Sequence, residues 1–414
     1  MPSAGCEPVP GDDTRMNLQL SLAGCGWAAA TAADPWDAVP SAKLRAFLAE
    51  GHPTPYLAVD LDLVEARYRA LASALPGVRL LYALKANPLP RVVERIAALG
   101  GGFDTASPSE IVQALAAGAD PADIAYGNTI KKAADIAKAH RLGVRLFAFD
   151  SPGELDKLAV AASGAHVFCR IAVGGAGADW PLSRKFGCSP DEAVELLVAA
   201  RPLGLEPWGV SFHVGSQQRD PHGWDAPIAT AAEVFARCAA RGVRLGMVNI
   251  GGGFPATLRE PVPPPADYGA AIMAAVRDSF GSRAPDLVAE PGRGLVGDAG
   301  VIDTEVVLVA LKDHDGLRRR WVYLDIGKFH GLAETMEEAI RYPVVSRRSG
   351  PDAPVVLAGP TCDSADVLYE RSDYRLPTDL TAGDRLLILG TGAYTSSYST
   401  VGFNGIAPLV SYTL

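Results

Sequence analysis

Leu80-Leu81-Tyr82-Ala83-Leu84-Lys85-Ala86-Asn87 is an apolar run that ends abruptly in a lysine and an asparagine. A short apolar run with no polar alternation reads as a strand buried on both faces, which is the pattern of a parallel sheet. Seven further runs repeat it: Gly101–Asp104, Asp123–Gly127, Val144–Phe149, His166–Ala172, Trp208–Val214, Leu245–Ile250 and Asp286–Glu290. With Val78–Lys85 they make eight strand candidates, most of them ending in Gly, Asp, Asn, Lys or Glu. Helix-like Ala/Leu/Glu segments lie between most of them, at 91–99, 109–117, 131–142, 153–162, 190–200 and 226–241. Eight alternating units predict an α/β fold, a (β/α)8 barrel, with its chemistry at the C-terminal strand ends.

After about residue 296 the texture changes. Residues 301–311, 321–325, 354–358 and 385–390 read as strands separated by turns, with few helices. The expected organisation is a barrel over 55–295 and a β-rich domain built from 36–54 and 296–414. Residues 1–35 are expected to be a loose tail. Leu22-Ala23-Gly24-Cys25 faintly matches a lipoprotein cleavage box, but Asp12 and Asp13 crowd Arg15, and Asn17, Gln19 and Ser21 interrupt the apolar run.

Hydrophobic residues are 48% of the 414 and charged ones 21%, an ordinary globular balance. The net charge of -9 and the lack of a basic stripe argue against nucleic acid as a partner. No stretch is apolar enough for a membrane span. The six cysteines form no CxxC pair, no His/Cys spacing suits zinc, and a cytoplasmic, reducing location follows.

The strand ends carry the chemistry. A lysine at the end of a buried strand is partly desolvated, which makes its amine a usable nucleophile; it could equally point into water at the barrel mouth. In Asn249-Ile250-Gly251-Gly252-Gly253-Phe254 three glycines let backbone N–H groups approach a phosphate, or simply make a tight turn. There is no GxGxxG opening a helix and no GxxxxGK[ST]. In Ala289-Glu290-Pro291-Gly292-Arg293-Gly294, Glu290 could pair with a ring nitrogen and Arg293 with a phosphate, or the two could belong to a structural ion pair. His213, in Ser211-Phe212-His213-Val214-Gly215-Ser216, could stack on a flat ring with Ser216 at a phosphate; the alternative is a satisfied core histidine. Cys362-Asp363 places a thiol beside a carboxylate in a loop, either a proton donor near a cation site or an inert surface turn.

Together and in this order, these motifs resemble those of the pyridoxal-phosphate (PLP) dependent ornithine/diaminopimelate/arginine decarboxylase family. The resemblance runs from about Thr54 to Pro408. It is closest to bacterial ornithine/lysine decarboxylases of the eukaryotic type, in the stretches Gly127-Asn128-Thr129-Ile130-Lys131-Lys132, Trp180-Pro181-Leu182-Ser183-Arg184-Lys185-Phe186-Gly187 and Gly392-Ala393-Tyr394-Thr395. It implies an alanine-racemase-like, fold type III PLP enzyme that removes CO2 from a basic L-amino acid.

By that resemblance Lys85 carries PLP as a Schiff base. Asp104 and Glu110 support that side of the site, and Arg170 approaches the cofactor hydroxyl. His213 stacks on the ring and Glu290 binds its nitrogen. Ser216, Gly253, Gly292, Arg293 and Tyr394 hold the phosphate. Cys362 reprotonates the substrate carbon, while Asp325 and Asp363 bind the distal ammonium. Cys362 and Asp363 are implied to come from the second copy of a homodimer. Two carboxylates suit a cation and repel a distal carboxylate, so ornithine or lysine is the expected substrate. One methylene is discriminated by only about 1–3 kcal/mol, which leaves the two unseparated. His330 stands where a small residue is expected and could mark a modified or D-configured diamino acid. The competing readings are a racemase, which needs a second base opposite Lys85, and a non-catalytic regulatory homologue.

Overall fold

The computed structural model describes residues 35–181, 185–314 and 316–414. The predicted tail therefore lies, but for Pro35, outside the described residues, as do Leu182, Ser183 and Arg184 of the tryptophan-proline stretch.

Eight parallel strands close into a barrel. Around the ring they run Arg79–Ala83, Gly102–Thr105, Ile124–Tyr126, Leu146–Phe149, His166–Arg170, Glu206–Ser211, Met247–Asn249 and Asp286–Ala289, which pairs back to the first. They are the eight strands read from the sequence. Inward side chains of Leu81, Ala125, Leu146, Ala148, Phe168, Met247 and Val288 fill the interior, so the barrel is a packed core and the open space lies at its mouth. The outward side chains join the larger core beneath the helices.

Helix starts are set by local chemistry. Ser107 caps Pro108–Ala116 by accepting from the Glu110 N–H at 3.3 Å, with proline at the first helical position. Ser189 and Glu192 form a reciprocal capping box on Pro190–Ala200.

Two short strands, Ala178–Trp180 and Ser216–Gln218, pair with each other, and the remaining strands form an eight-stranded mixed sheet. The long antiparallel pair Gly300–His314 and Leu317–Leu324 organises it, with Asp352–Ala358 and Val367–Pro377 on one side and Arg385–Leu389 on the other. Here the expected boundary at residue 55 moves. Tyr56–Val59 is a strand of this sheet, antiparallel to Gly300–Asp303 and parallel to Val410–Thr413. Tyr56 fixes the register, since its hydroxyl donates to buried Asp303 at 2.9 Å and Arg385 caps the same carboxylate at 2.6 Å. The barrel is thus inserted between two neighbouring sheet strands, and the Asp60 N–H donates to the Ala299 carbonyl where the chain crosses, at 2.9 Å. The segment before the sheet is helical: Ala42–Ala49 packs Leu44 and Leu48 against Tyr56, Val301 and Leu389.

Among the described residues no helix is long and apolar enough to cross a membrane.

Candidate active site

A cavity of about 220 Å³ opens at the C-terminal ends of the strands and is closed from the side by the sheet domain. Lys85, His213, Ser216, Gly253, Glu290, Gly292, Arg293 and Tyr394 line it, eight of the residues singled out in the sequence. Ala83, Trp180, Gln217, Gly252, Phe254, Glu334 and Tyr398 complete the wall.

Lys85 follows its strand in the one-turn helix Leu84–Ala86. The turn is clasped from both sides. The Ala83 N–H donates to Pro291, Tyr82 Oη donates to the Asn87 carbonyl, and the Tyr394 N–H donates to the Ala86 carbonyl at 2.7 Å. Asn87 Nδ2 donates to Gly392 and Ser397 Oγ to the Lys85 carbonyl, which ties the turn to the sheet domain. Lys85 Nζ is 2.7 Å from Oδ2 of buried Asp104. Burial alone would lower this amine; the charges of Asp104, Tyr394 and Glu290 outweigh it and hold Lys85 above the usual lysine range.

Asp104 and Glu290 approach each other across Gly127. A methyl group at Gly127 would lie 2.0 Å from Asp104 Oδ1 and 3.5 Å from Glu290 Oε1, so only glycine leaves room for both. Gly127→Ala is expected to displace Asp104 from Lys85. Overpacking a tight site costs about 1–3 kcal/mol, and kcat should fall at least about 10-fold. Gly153→Ala, where the methyl meets nothing within 4 Å, is the control for melting temperature and kcat.

Glu290 accepts from Asn249 Nδ2 at 2.5 Å. Burial, then repulsion from Asp104, pushes its carboxyl up to about 7, although Lys85, Asn249 and Arg170 pull the other way. Such a group ionises readily once a cation meets it. His213 Nδ1 accepts from the Gly215 N–H at 3.0 Å, which leaves its proton on Nε2. Burial and the charges of Arg170 and Lys85 push His213 down to about 3, so it is a neutral, flat ring. A methyl at Gly252 would sit 3.2 Å from His213 Nε2 and 2.7 Å from the Glu290 carbonyl, so the glycine loop keeps the face of that ring open.

Arg293 starts a short helix and is 3% exposed. Its Nη2 donates to both oxygens of Glu334 at 2.6 and 2.7 Å and to Ser216 Oγ at 3.3 Å. Nε and Nη1 are buried with no acceptor from the protein. Two guanidinium donors without a protein acceptor, near Ser216, Gly253 and Gly292, suit a phosphate. With a reactive amine, a flat neutral ring and an acid poised near neutrality in the same cavity, these side chains fit a phosphorylated pyridine aldehyde.

The remaining predicted residues stand outside the cavity wall. Glu110 accepts from the Ala106 N–H at 2.6 Å, and burial, with Asp104 nearby, raises its carboxyl. Arg170 lies over the Phe186 ring at 5.3 Å, and burial lowers it. Asp325 turns away: its Oδ1 accepts from Thr304 Oγ1 at 2.5 Å and the Glu305 N–H at 3.0 Å, and the cavity's carboxylate from this domain is Glu334. Asp325 ends its strand beside a β-bulge, and the backbone there claims its side chain. Cys362 is exposed, its N–H bonded to Asn404 Oδ1 at 3.1 Å; Asp363 Oδ1 takes the Ala365 N–H at 2.8 Å. Neither lines the cavity. His330 is buried, 3% exposed.

Comparison with known proteins turns on the barrel. The family described as "Pyridoxal-dependent decarboxylase, pyridoxal binding domain" matches residues 61–297. This chain belongs to that family. Among relatives of these decarboxylases, the lysine/ornithine decarboxylase of Selenomonas ruminantium is 36% identical over 372 residues, covering 88% of this chain and 91% of its own. The antizyme inhibitor 2 of Xenopus laevis is 32% identical, covering 85% of this chain and 78% of its own. The structure of the lysine/ornithine decarboxylase of Vibrio vulnificus complexed with putrescine superposes with a TM-score of 0.79 at 33% identity, covering 90% of this chain and 99% of that one. The protein is a PLP-dependent carboxy-lyase acting on a basic amino acid, with the fold type III architecture read from its sequence.

Glu334, Trp180, Tyr398 and Gly127 escaped the sequence reading as site residues. Trp180 and Gly127 did carry a signal, since both fall in stretches that mark the bacterial branch.

Proposed function

We propose that the substrate is L-ornithine or L-lysine, giving putrescine or cadaverine, and that the working unit is a cytoplasmic homodimer with shared sites. One observation carries the reading: the Lys85 amine, held 2.7 Å from Asp104, shares its cavity with Arg293, two of whose buried guanidinium nitrogens have no acceptor from the protein.

When bound, PLP supplies the electron sink that accepts the bonding pair as CO2 leaves. The chain's own groups select and orient. Lys85 anchors the cofactor, and Asp104 aims its amine. Glu290 takes the ring nitrogen, and its carboxyl, raised by burial, is readily ionised there. Neutral His213 offers a face without charge. Arg293, Ser216, Gly253, Gly292 and Tyr394 hold the phosphate; Tyr394 is set in the left-handed region, φ 56, by its N–H bond to Ala86. Arg170 stands toward the cofactor hydroxyl, and Glu110 backs Asp104.

Cys362 of the partner subunit returns a proton to the substrate carbon. Asp363 of the partner subunit binds the distal ammonium. The exposure of both residues on their own protomer, outside its cavity, supports a shared site. Four free cysteines among the described residues support a reducing compartment. Asp363→Asn should raise KM for diamino acids about 10-fold, the worth of a charged hydrogen bond, and leave any neutral amino acid unaffected. Equal effects on both substrates would remove its ammonium role.

The orientation of Asp325 favours a second reading. One of the two expected aspartates is taken up elsewhere, which suits a modified diamino acid whose far end is less cationic; a D-configured one is the companion alternative. CO2 release across L- and D-ornithine, lysine, arginine, diaminopimelate and neutral amino acids decides. Turnover confined to L-ornithine or L-lysine supports the first reading; turnover of a D-isomer or silence throughout supports the second.

A further inference from the structure

Decarboxylation as derived above leaves one carboxylate in the cavity without a task. Glu334 lies in the helical turn Ala333–Glu338, is 5% exposed and lines the cavity. Both its oxygens accept from one atom, Arg293 Nη2, at 2.6 and 2.7 Å. Tyr342 Oη donates to the same carboxylate at 3.3 Å. The guanidinium carbon lies 5.1 Å from the centre of the Tyr394 ring. The guanidinium is therefore divided: Nη2 is neutralised by the protein, while Nε and Nη1 have no protein acceptor.

A carboxylate at this place is a poor neighbour for a phosphate dianion, because like charges repel strongly where water is excluded. It is, however, what a buried guanidinium needs when no phosphate is present, since an ion stranded in the interior is costly. Tyr342 adds a donor that keeps the carboxylate aimed at Arg293.

We propose that Glu334 is a positioning residue that serves as stand-in counter-ion for Arg293. It keeps the phosphate cup assembled before the cofactor arrives and leaves Nε and Nη1 for the phosphate. Its charge stabilises the cofactor-free protein and works against the phosphate once bound. The proposal rests on Arg293 being the phosphate ligand, and its test separates the two claims.

Glu334→Gln, Arg293→Gln and the double variant are compared with the natural chain. The readouts are melting temperature with and without saturating PLP, and the Kd of PLP and of inorganic phosphate for the cofactor-free protein. Glu334→Gln should lower the melting temperature of the cofactor-free protein by about 5 °C and that of the PLP-saturated protein by much less. By linkage its Kd for PLP and for phosphate should then fall, about 10-fold. Equal losses in both forms with unchanged Kd would make Glu334 merely structural and overturn the proposal. Weaker binding would also overturn it. If Glu334→Gln does not fold, the double variant decides. With both charges gone it should fold, melt close to the natural chain without PLP, and bind phosphate at least about 10-fold more weakly. A double variant as unstable as Glu334→Gln would overturn the stand-in role. Unchanged PLP affinity in Arg293→Gln alone would instead refute the phosphate role of Arg293.

Discussion

Lys85→Ala is expected to lower kcat by at least about 10³-fold, the scale of losing a covalent catalytic group. The reason is positional. Lys85 is the amine that the first barrel strand delivers to the cavity, and its turn is pinned by Tyr82, Asn87, Tyr394 and Ser397. Lys131, a buried lysine near the strand ends, is tied to Glu154 at 2.9 Å and to the Ala148 carbonyl at 2.6 Å. Lys85→Arg separates chemistry from electrostatics. It keeps a positive charge against Asp104 and should melt near the natural chain, yet be as inactive as the alanine variant. Borohydride reduction should fix cofactor mass to the natural chain and to neither variant. Substantial turnover in Lys85→Ala would end the assignment.

Glu290→Gln is expected to lower kcat by about 10²-fold or more, as for removal of a preorganised electrostatic partner in a dry site. An amide can still hydrogen-bond a ring nitrogen but cannot hold a proton on it by charge. The same variant carries a pH signature in the cofactor-free protein. The folded state holds the Glu290 proton up to about 7, whereas the unfolded chain releases it near the ordinary carboxyl value of 4.5. Its contribution to stability is complete at low pH and is lost as pH rises through about 7. His213 acts in the opposite sense. Its pKa falls from 6.5 to about 3 on folding, so its contribution is lost on acidification and is flat above 6.5. Between about pH 4.5 and about pH 7 the natural chain should therefore lose stability relative to Glu290→Gln, which shares His213, and the difference should level off above that range, measured by denaturant midpoints at each pH. Parallel curves would show that Glu290 is an ordinary carboxylate.

The barrel was legible because its code is local. Each buried parallel strand is a compact apolar run, and most run into a polar or glycine residue at or near the cavity, as at Lys85, Asp104, Asn249 and Glu290. Tyr56–Val59 has that same local look, yet it belongs to the sheet. What decides is Asp303, 247 positions further along. The strand Val367–Pro377 was missed because its exposed stretch, Glu370–Asp373, breaks the apolar run. In the site, backbone-determined features were readable: the glycine loop, the strand-end lysine, the arginine after the last barrel strand. Orientation of carboxylates was not. Asp325 and Glu334 lie nine positions apart, and which of them enters the cavity depends on Thr304 and Arg293, partners set by the tertiary fold. Gly127 was noticed as part of a motif, but its reason is the Asp104 oxygen that a methyl would strike.

The insertion of the barrel between two adjacent sheet strands also dictates an order of events during folding. Tyr56 and Asp303 are separated by 247 residues, so their pairing closes a loop the size of the whole barrel. The entropy of that closure is prohibitive for an open coil and small for a compacted one, because the barrel's own collapse brings Asp60 and Ala299 together. Sequential strand pairs within the barrel join neighbours about twenty to forty residues apart and carry a smaller penalty, while the closing pair, Val288 with Arg79, spans 209. Closing the barrel and pairing Tyr56 with Asp303 are loop closures of similar size, and the cavity, whose wall needs Glu334, Tyr394 and Tyr398 from the sheet domain, takes shape only once both are made.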